Sequence, residues 1–162
     1  MKTIITLLYI LISITVWSQS SYEIPTKDNI PETLKQYRVA IEVVNFPKKN
    51  HPIKIKDQYY WKHNTTILCT ESEIRITEYG AYLFYNDKWN LRKSYPLKDL
   101  AKTFLIEKHK MLQGQPYVWV NNWRVGESLF GGWAMWYFIG ETNNGETVCG
   151  YGTIDTTDKP LN

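Results

Sequence analysis

The sequence predicts an α+β domain: a largely antiparallel β-sheet of about seven to nine strands with one amphipathic helix packed on a face. Three observations support this class. Residues 133–139 are apolar without interruption, an Asn-Gly pair follows them at 144–145, and a stripe of helical periodicity begins after Pro96. Shorter alternating segments fill most of the remaining chain, which is typical of strands.

The apolar segment from Trp133 to Ile139 is expected to be a central strand. At the two-residue period of a strand both of its faces are apolar, so both must be covered. Gly131-Gly132 before it and Gly140 after it bound an element that is too short for an ordinary helix. We therefore expect hydrogen-bonded neighbours along both of its edges.

Asn144-Gly145 predicts a two-residue type I′ hairpin turn, because both central residues of that turn need positive φ. Counting back from such a turn pairs Gly140 with Cys149 and places Gly150 and Gly152 opposite large side chains. This register directs the side chain of Cys149 to the same face as Phe138.

The two cysteines, Cys69 and Cys149, are candidates for a disulfide bond. Export to an oxidising compartment permits the bond, and both side chains are expected to point inward from strands. It would constrain the unfolded chain by about 4 to 5 kcal/mol in the chain-entropy account. Two buried free thiols are the alternative.

The start of the chain has the plan of a cleaved secretory signal peptide over residues 1–18, with Lys2 before an apolar run and small residues at its end. The run of about 15 apolar residues is shorter than the ~20 that span a bilayer, so no transmembrane segment is expected in the mature chain. We expect a polar leader over 19–36, one α+β domain over 37–155 and a polar tail over 156–162, in a secreted or periplasmic protein.

Several shorter strands are predicted along the domain. Residues 39–43 alternate like a half-buried strand, and residues 53–56 like an edge strand whose lysines deter further pairing. Residues 59–93 indicate an antiparallel meander with turns at 71–72, 79–80 and 86–87. One further strand is expected over 117–125.

Pro96 opens the clearest helical pattern, because proline suits the first helical position. Apolar residues then follow at i, i+3, i+4, i+7 and i+8, namely Leu97, Leu100, Ala101, Phe104 and Leu105. This single stripe predicts a helix with one face on the sheet.

Catalytic and metal-binding patterns are weak. The segment from Gly126 to Gly131 around Ser128 is one residue too long for a nucleophile elbow and lies between two predicted strands. The histidines are scattered singly, without zinc-site spacing. We expect no catalytic set, no metal and no cofactor, and Glu127 is the carboxylate to inspect first for glycoside hydrolysis.

Two aromatic sets are candidates for ligand binding. One combines a sheet face with the adjacent loop and contains Trp119, Trp123, Glu127, Ser128, Phe130 and Trp133. The other, Tyr59 and Trp61, ends a lysine-rich stretch. Tryptophans on a concave sheet face stack on sugar rings or hold apolar ligands, and basic residues beside aromatic ones suit anionic ligands. The alternatives are core packing for the aromatic side chains and a solvated edge strand for the lysines.

These patterns favour a non-enzymatic exported binding or protein-interaction module of the cell envelope or extracellular space, with a protein or a glycan as partner. A small extracytoplasmic hydrolase of a glycan or ester is one alternative, and an inhibitor or accessory subunit of an envelope complex is another. Nucleic acid is not expected as a partner, because loss of residues 1–18 removes one lysine and lowers the formal net charge from +3 to +2.

Overall fold

The computed structural model of the protein describes residues 29–161. Strands dominate this range, most of them are antiparallel to their neighbours, and the helices are few and short. The prediction of a largely antiparallel β protein with a minor helical part is therefore confirmed. The predicted signal peptide at 1–18, most of the leader at 19–36 and Asn162 lie outside the described residues.

Two α-helices and thirteen strands form within residues 29–161. The helices are α1 (Glu32–Lys35) and α2 (Leu97–Phe104), and a 3-10 turn covers Glu107–His109. The first strands are β1 (Arg38–Val39), β2 (Ile41–Phe46), β3 (Lys49–Asn50), β4 (Ile53–Ile55), β5 (Gln58–Trp61), β6 (Asn64–Cys69) and β7 (Glu73–Tyr85). The remaining strands are β8 (Lys88–Ser94), β9 (Lys110–Leu112), β10 (Pro116–Trp119), β11 (Arg124–Gly126), β12 (Gly132–Thr142) and β13 (Thr147–Thr156).

The main sheet has seven strands in the order β1-β13-β12-β7-β8, with β3 beside β13 and β9 beside β7. Strand β12 is its centre, because β13 and β7 pair with it on opposite edges. Met135 and Phe138, which point to opposite faces, are both buried completely. The predicted central strand is confirmed. The strands are nevertheless divided among three sheets rather than collected in one.

The two smaller sheets have the orders β10-β6-β2 and β11-β5-β4. Strand β2 packs across β13, where two glycines allow the backbones to approach. A Cβ atom on Gly150 would lie 2.5 Å from Cβ of Ile41, and one on Gly152 would lie 2.8 Å from Cγ1 of Val43. These glycines therefore make room for a second sheet, not for bulky side chains across the hairpin.

The main sheet separates two hydrophobic cores. On one face, Phe138 packs with β2, β6 and α2, whose buried side chains are Leu100 and Phe104. On the other face, Tyr137 packs beneath α1, where Leu34 is 1 % exposed. A sheet with apolar side chains on both sides needs such a cover on each side.

Helix α2 begins after Pro96, as the sequence predicts, but its buried stripe is short. Leu105 adopts a left-handed conformation with φ of 57°, which ends the helix, and is 81 % exposed. Ala101 is also exposed. Neither helix in residues 29–161 has the length and apolar character required to cross a bilayer.

The hairpin between β12 and β13 has a three-residue turn instead of the predicted type I′ turn. Thr142 donates its N–H to the carbonyl of Glu146 at 3.0 Å. Gly145 has a φ of 78°, whereas Asn144 does not have the positive φ that a type I′ turn requires. The longer turn shifts the pairing of the strands by one residue.

The shift of register moves Cys149 to the other face of the sheet. Cys149 pairs with Ile139 and lies in the core beneath α1, whereas Cys69 lies in the core that contains Phe138. Both cysteines are buried free thiols. The predicted disulfide bond is wrong, because the main sheet stands between the two side chains.

The predicted meander is wrong in two places. Strand β7 continues through residues 79–80 as one 13-residue strand, so no turn forms there. Strand β6 pairs with β2 and β10 instead of turning at 71–72 to pair with β7. Similarly, the strand expected over 117–125 is divided into β10 and β11, with Asn121 at a φ of 61° between them.

Two of the local predictions are confirmed. Asn86 and Asp87 both have positive φ, 52° and 57°, and the turn pairs Phe84 with Trp89. Strand β4 lies at the edge of its sheet, as its alternating lysines indicate.

Residues assigned to the leader and tail contribute to the packed domain. Thr33 lies 3.0 Å from the hydroxyl of Tyr82, on the face that Leu34 covers. At the other end, the buried Thr156 completes β13. The carbonyl of Thr157 accepts a hydrogen bond of 2.8 Å from the indole of Trp61.

Replacement of Gly150 by alanine is expected to destabilise the fold by about 2 to 3 kcal/mol, because the new methyl group would overlap β2. Gly114→Ala is the control, since Gly114 has open space around it and only a positive φ, which costs alanine about 1 kcal/mol. Urea unfolding of both variants measures the difference. Equal losses would show that the two sheets do not meet at Gly150.

Thiol titration without reductant is expected to find two reactive thiols after unfolding in guanidinium chloride and almost none in the native protein. Both side chains are buried, and burial raises the pKa of both thiols, which disfavours the reactive thiolate. Two thiols fewer after unfolding would mean that Cys69 and Cys149 are joined.

Candidate functional site

A cleft of about 210 Å³ lies between the main sheet and the place where the two small sheets meet. The sheet side is formed by Ala81, Leu83, Ala134, Trp136 and Ile154. The other side is formed by His63, by Trp119 and by the segment from Asn121 to Arg124. Tyr95, Arg92 and Thr156 complete the lining.

The cleft forms at a corner of two antiparallel ladders. Strand β10 pairs with β6 and strand β11 pairs with β5, so both ladders are interrupted at the same level, at residues 62–63 and 120–123. Four residues at this interruption line the cleft, namely His63, Asn121, Asn122 and Trp123.

A chain of buried hydrogen bonds ties this corner to the main sheet. Asn122 Nδ2 donates to Thr65 Oγ1 at 2.8 Å, and Thr65 Oγ1 donates to Asn45 Oδ1 at 2.7 Å. Asn45 Nδ2 then donates to the carbonyl of Gly152 at 2.9 Å. Because buried polar groups are costly unless paired, this network fixes the position of the residues that follow Asn122.

Aromatic rings form much of the wall of the cleft. The ring centroids of Trp119 and Trp136 are 5.0 Å apart at 64°, and Tyr95 lies 5.5 Å from Trp136. Trp123 is half-buried, and Lys62 Nζ lies 4.3 Å from its ring centroid. The wall of the cleft is therefore largely aromatic, and aromatic rings suit the apolar face of a ligand ring.

His63 is buried and neutral in the lining of the cleft. Its Nδ1 donates to the carbonyl of Trp61 at 3.2 Å, and its Nε2 accepts from the indole of Trp136 at 3.4 Å. An indole nitrogen only donates, so Nε2 must be unprotonated. Burial, and secondarily the charge of Arg124, lower the pKa of His63.

Arg124 is held between aromatic and hydroxyl groups without a carboxylate. Its guanidinium carbon lies 3.7 Å from the ring centroid of Phe130, and Phe130 stacks on Trp61 at 3.9 Å. Its Nη1 donates to Thr156 Oγ1 at 3.2 Å. Burial, followed by repulsion from Arg92, lowers the pKa of Arg124 to about 10.

Arg92 reaches the cleft from a β-bulge in β8. Ala81 pairs with Lys93 and the next residue, Tyr82, pairs with Leu91, so Arg92 is the extra residue between them. A bulge redirects a side chain out of the regular alternation and often occurs beside functional sites. None of the ion pairs within residues 29–161 involves Arg92 or Arg124.

The residues singled out by the sequence occupy different positions around this cleft. Trp119 and Trp123 line it. Phe130 and Trp61 lie behind Arg124 and support it, and the Phe130 ring fits there because position 126 is a glycine, whose Cβ would lie 2.5 Å from Cε1 of Phe130. Two of the predicted aromatic residues therefore line the cleft, and two others pack against one of its arginines.

The other four predicted residues do not line the cleft. Glu127 borders a separate open hollow of about 470 Å³ with Asp57 and Tyr60, and Ser128 is exposed. Tyr59 and Trp133 are half-buried and belong to neither cavity. The structure thus does not bring Glu127 or Ser128 together with His63.

The sequence reasoning missed the polar part of the cleft, above all Arg92, Tyr95 and Arg124. Arg92 carried only a partial signal, because a register counted along β8 from the turn at 86–87 would place it beside Ala81, whereas the structure pairs Ala81 with Lys93. Arg124 carried no comparable signal, since its position depends on the interruption between β10 and β11.

Comparisons of the chain with models of known families, with curated proteins and with solved structures find no match. In the described range, no three His, Cys, Asp or Glu side chains come together as a metal site would require. Function must therefore be inferred from the cleft itself.

The free energy of unfolding is expected to fall with acid because of His63. Since the folded-state pKa is lowered, the unfolded chain takes up the proton first as the pH falls below about 6.5, and stability is lost by at most about 1.4 kcal/mol per pH unit. Above that pH the contribution is complete.

Urea unfolding between about pH 8 and about pH 5 measures this effect. His63→Gln is the matched variant, because its amide oxygen retains an acceptor for the Trp136 indole without titrating in this range. The stability difference between wild type and variant should shrink toward acid. A difference that is constant with pH, or that grows in acid, would contradict a buried neutral His63.

Proposed function

We propose that the protein is a non-enzymatic exported binding module whose ligand is a glycan, and that a sugar ring of this glycan enters the cleft. The observation that carries the proposal is the wall of the cleft, where the half-buried Trp119 and Trp123 stand beside polar side chains in a concave site. Aromatic faces beside a few polar groups are the usual means of binding the apolar face of a sugar while pairing its hydroxyl groups.

The size of the cleft favours a single ring. Sites for drug-sized ligands usually have volumes of about 300 to 1,000 Å³, which is more than the 210 Å³ of this cleft. Asn121, which is exposed at the lining, offers a side-chain amide for sugar hydroxyls. A terminal or single sugar unit therefore fits better than the middle of a long chain.

Binding is a better interpretation than hydrolysis because the cleft lacks an acid–base set. Both ring nitrogens of His63 are occupied by structural hydrogen bonds. Glu127 and Ser128 do not reach the cleft, and the cleft-lining side chains within residues 29–161 include no carboxylate or thiol. General acid–base and nucleophilic catalysis both require such groups within hydrogen-bonding distance of the substrate.

Export and a protein partner remain predictions from the sequence. Export depends on residues 1–18, which lie outside the described range. A protein partner, or a role as an inhibitor or accessory subunit, would use a surface away from the cleft. The outer face of the β10-β6-β2 sheet has suitable exposed apolar residues, namely Val44, Phe46 and Val118.

Replacement of Trp123 by alanine is expected to weaken glycan binding by about tenfold, because stacking on its ring is lost. A glycan array of neutral and acidic sugars identifies the ligand, and tryptophan fluorescence titration with the best binder measures the affinity. Trp89→Ala is the control, since Trp89 is also half-buried but packs beside Phe84, outside the cleft.

Two outcomes would reject the binding proposal. One is an array without any bound sugar. The other is turnover of nitrophenyl glycosides or esters that is abolished by Glu127→Gln or Ser128→Ala, which would identify the protein as a hydrolase. Equal loss of affinity in the Trp123 and Trp89 variants would place the ligand elsewhere.

A further inference from the structure

The charge of the cleft is unbalanced in a way that the fold does not explain. Arg92 and Arg124 both line it, and Lys62 and Lys93 lie over the rings of Trp123 and Tyr95 at 4.3 and 4.8 Å from the centroids. No carboxylate belongs to the lining within residues 29–161. A partly buried cation normally has an acidic partner, because taking its charge out of water is costly.

The guanidinium of Arg124 is held in a fixed orientation by its neighbours, as an anion-binding group requires. Phe130 holds one face of its guanidinium, and Thr156 Oγ1 accepts from Nη1 at 3.2 Å. A guanidinium has five N–H donors, and the Arg124 side chain makes no other hydrogen bond within residues 29–161. Arg124 lines the cleft with its guanidinium held against the Phe130 ring, so little conformational freedom is lost when an anion binds.

We propose, on the basis of the glycan-binding function above, that the ring in the cleft carries a carboxylate, as a uronic acid residue at the end of an acidic glycan does. The carboxylate would accept a pair of hydrogen bonds from Arg124 and a further contact from Arg92, while the sugar ring lies against Trp123. Arg92 supplies the second positive charge from its bulge, where its side chain is exposed and can adjust.

A carboxylate fits this arrangement better than a larger oxyanion. The forked guanidinium matches the two oxygens of a planar carboxylate, and a uronic acid places that group directly on the ring. A sulfate or phosphate ester on a sugar stands further from the ring, which leaves less room in a cleft of about 210 Å³. The ring and its charge must both be accommodated in this one space.

Isothermal titration calorimetry of the whole protein with the methyl glycosides of glucuronic acid and of glucose tests the proposal. These two ligands, called the glucuronide and the glucoside below, differ only at C6, which is a carboxylate in the first and a hydroxymethyl group in the second. We expect the glucuronide to bind about tenfold or more tightly. The affinity for the glucuronide should fall when the salt concentration is raised, since salt screens the charge interaction, whereas the affinity for the neutral glucoside should not. Methyl glucoside 6-sulfate is the third ligand and is expected to bind more weakly than the glucuronide.

Arg124→Gln and Arg92→Gln should each weaken glucuronide binding toward the level of the glucoside. Arg75→Gln is the matched control, since Arg75 is an exposed strand arginine outside the cleft. Arg92 is exposed, so its variant tests the proposal even where loss of Arg124 disturbs folding, which thermal unfolding would detect.

The outcomes separate this inference from the proposed function. Equal affinity for glucuronide and glucoside, or a preference that survives both arginine variants, would overturn the carboxylate site while sugar binding stands. Tighter binding of the sulfate would replace the carboxylate with a sulfate ester as the anion. Absence of binding by all three sugars would overturn the carboxylate site, whereas the glycan-binding function falls only if the array also shows no bound sugar.

Discussion

The arrangement of β12 is the constraint on which the rest of the fold depends. Its backbone pairs with β13 and β7 along both edges, and its side chains are apolar on both faces. Neither face can remain in water, so each needs its own cover. The β10-β6-β2 sheet and α2 provide one cover, and α1 provides the other. The cleft forms where the first cover ends and the ladder is interrupted.

The sequence predicted several features that depend on few residues, but it misjudged one local turn and failed where distant parts of the chain decide. The apolar run at 133–139 and the Asn86-Asp87 turn were recognised because each carries its own signal. The turn around Asn144-Gly145 was expected to have two residues, whereas the structure has a turn of three. The predicted pairing of β13 was therefore wrong by one residue, which assigned its side chains to the opposite faces of the sheet. Gly80 was interpreted as a turn residue, whereas it admits the ring of Tyr137 against β7.

The sequence predicted tryptophans in the candidate site but not the polar residues that complete it. Trp119 and Trp123 were singled out because surplus tryptophans beside a glycine-rich loop suggest a binding surface, and both line the cleft. The polar half comes from strands that are distant in sequence, including His63, Arg92 and Thr156. A bulge, a corner and a crossing of two sheets bring these groups together, and none of the three is a local property of the sequence.

The position of α1 has a practical consequence for recombinant production. Strand alternation begins only near Tyr37, so a fragment designed from the sequence pattern would start there and omit Leu34 and Thr33. Such a fragment would leave Tyr82 and Cys149 bare to solvent on one side of the main sheet. Poor solubility of that fragment would result from the loss of the four-residue helix α1, not from an inability of the sheet to form.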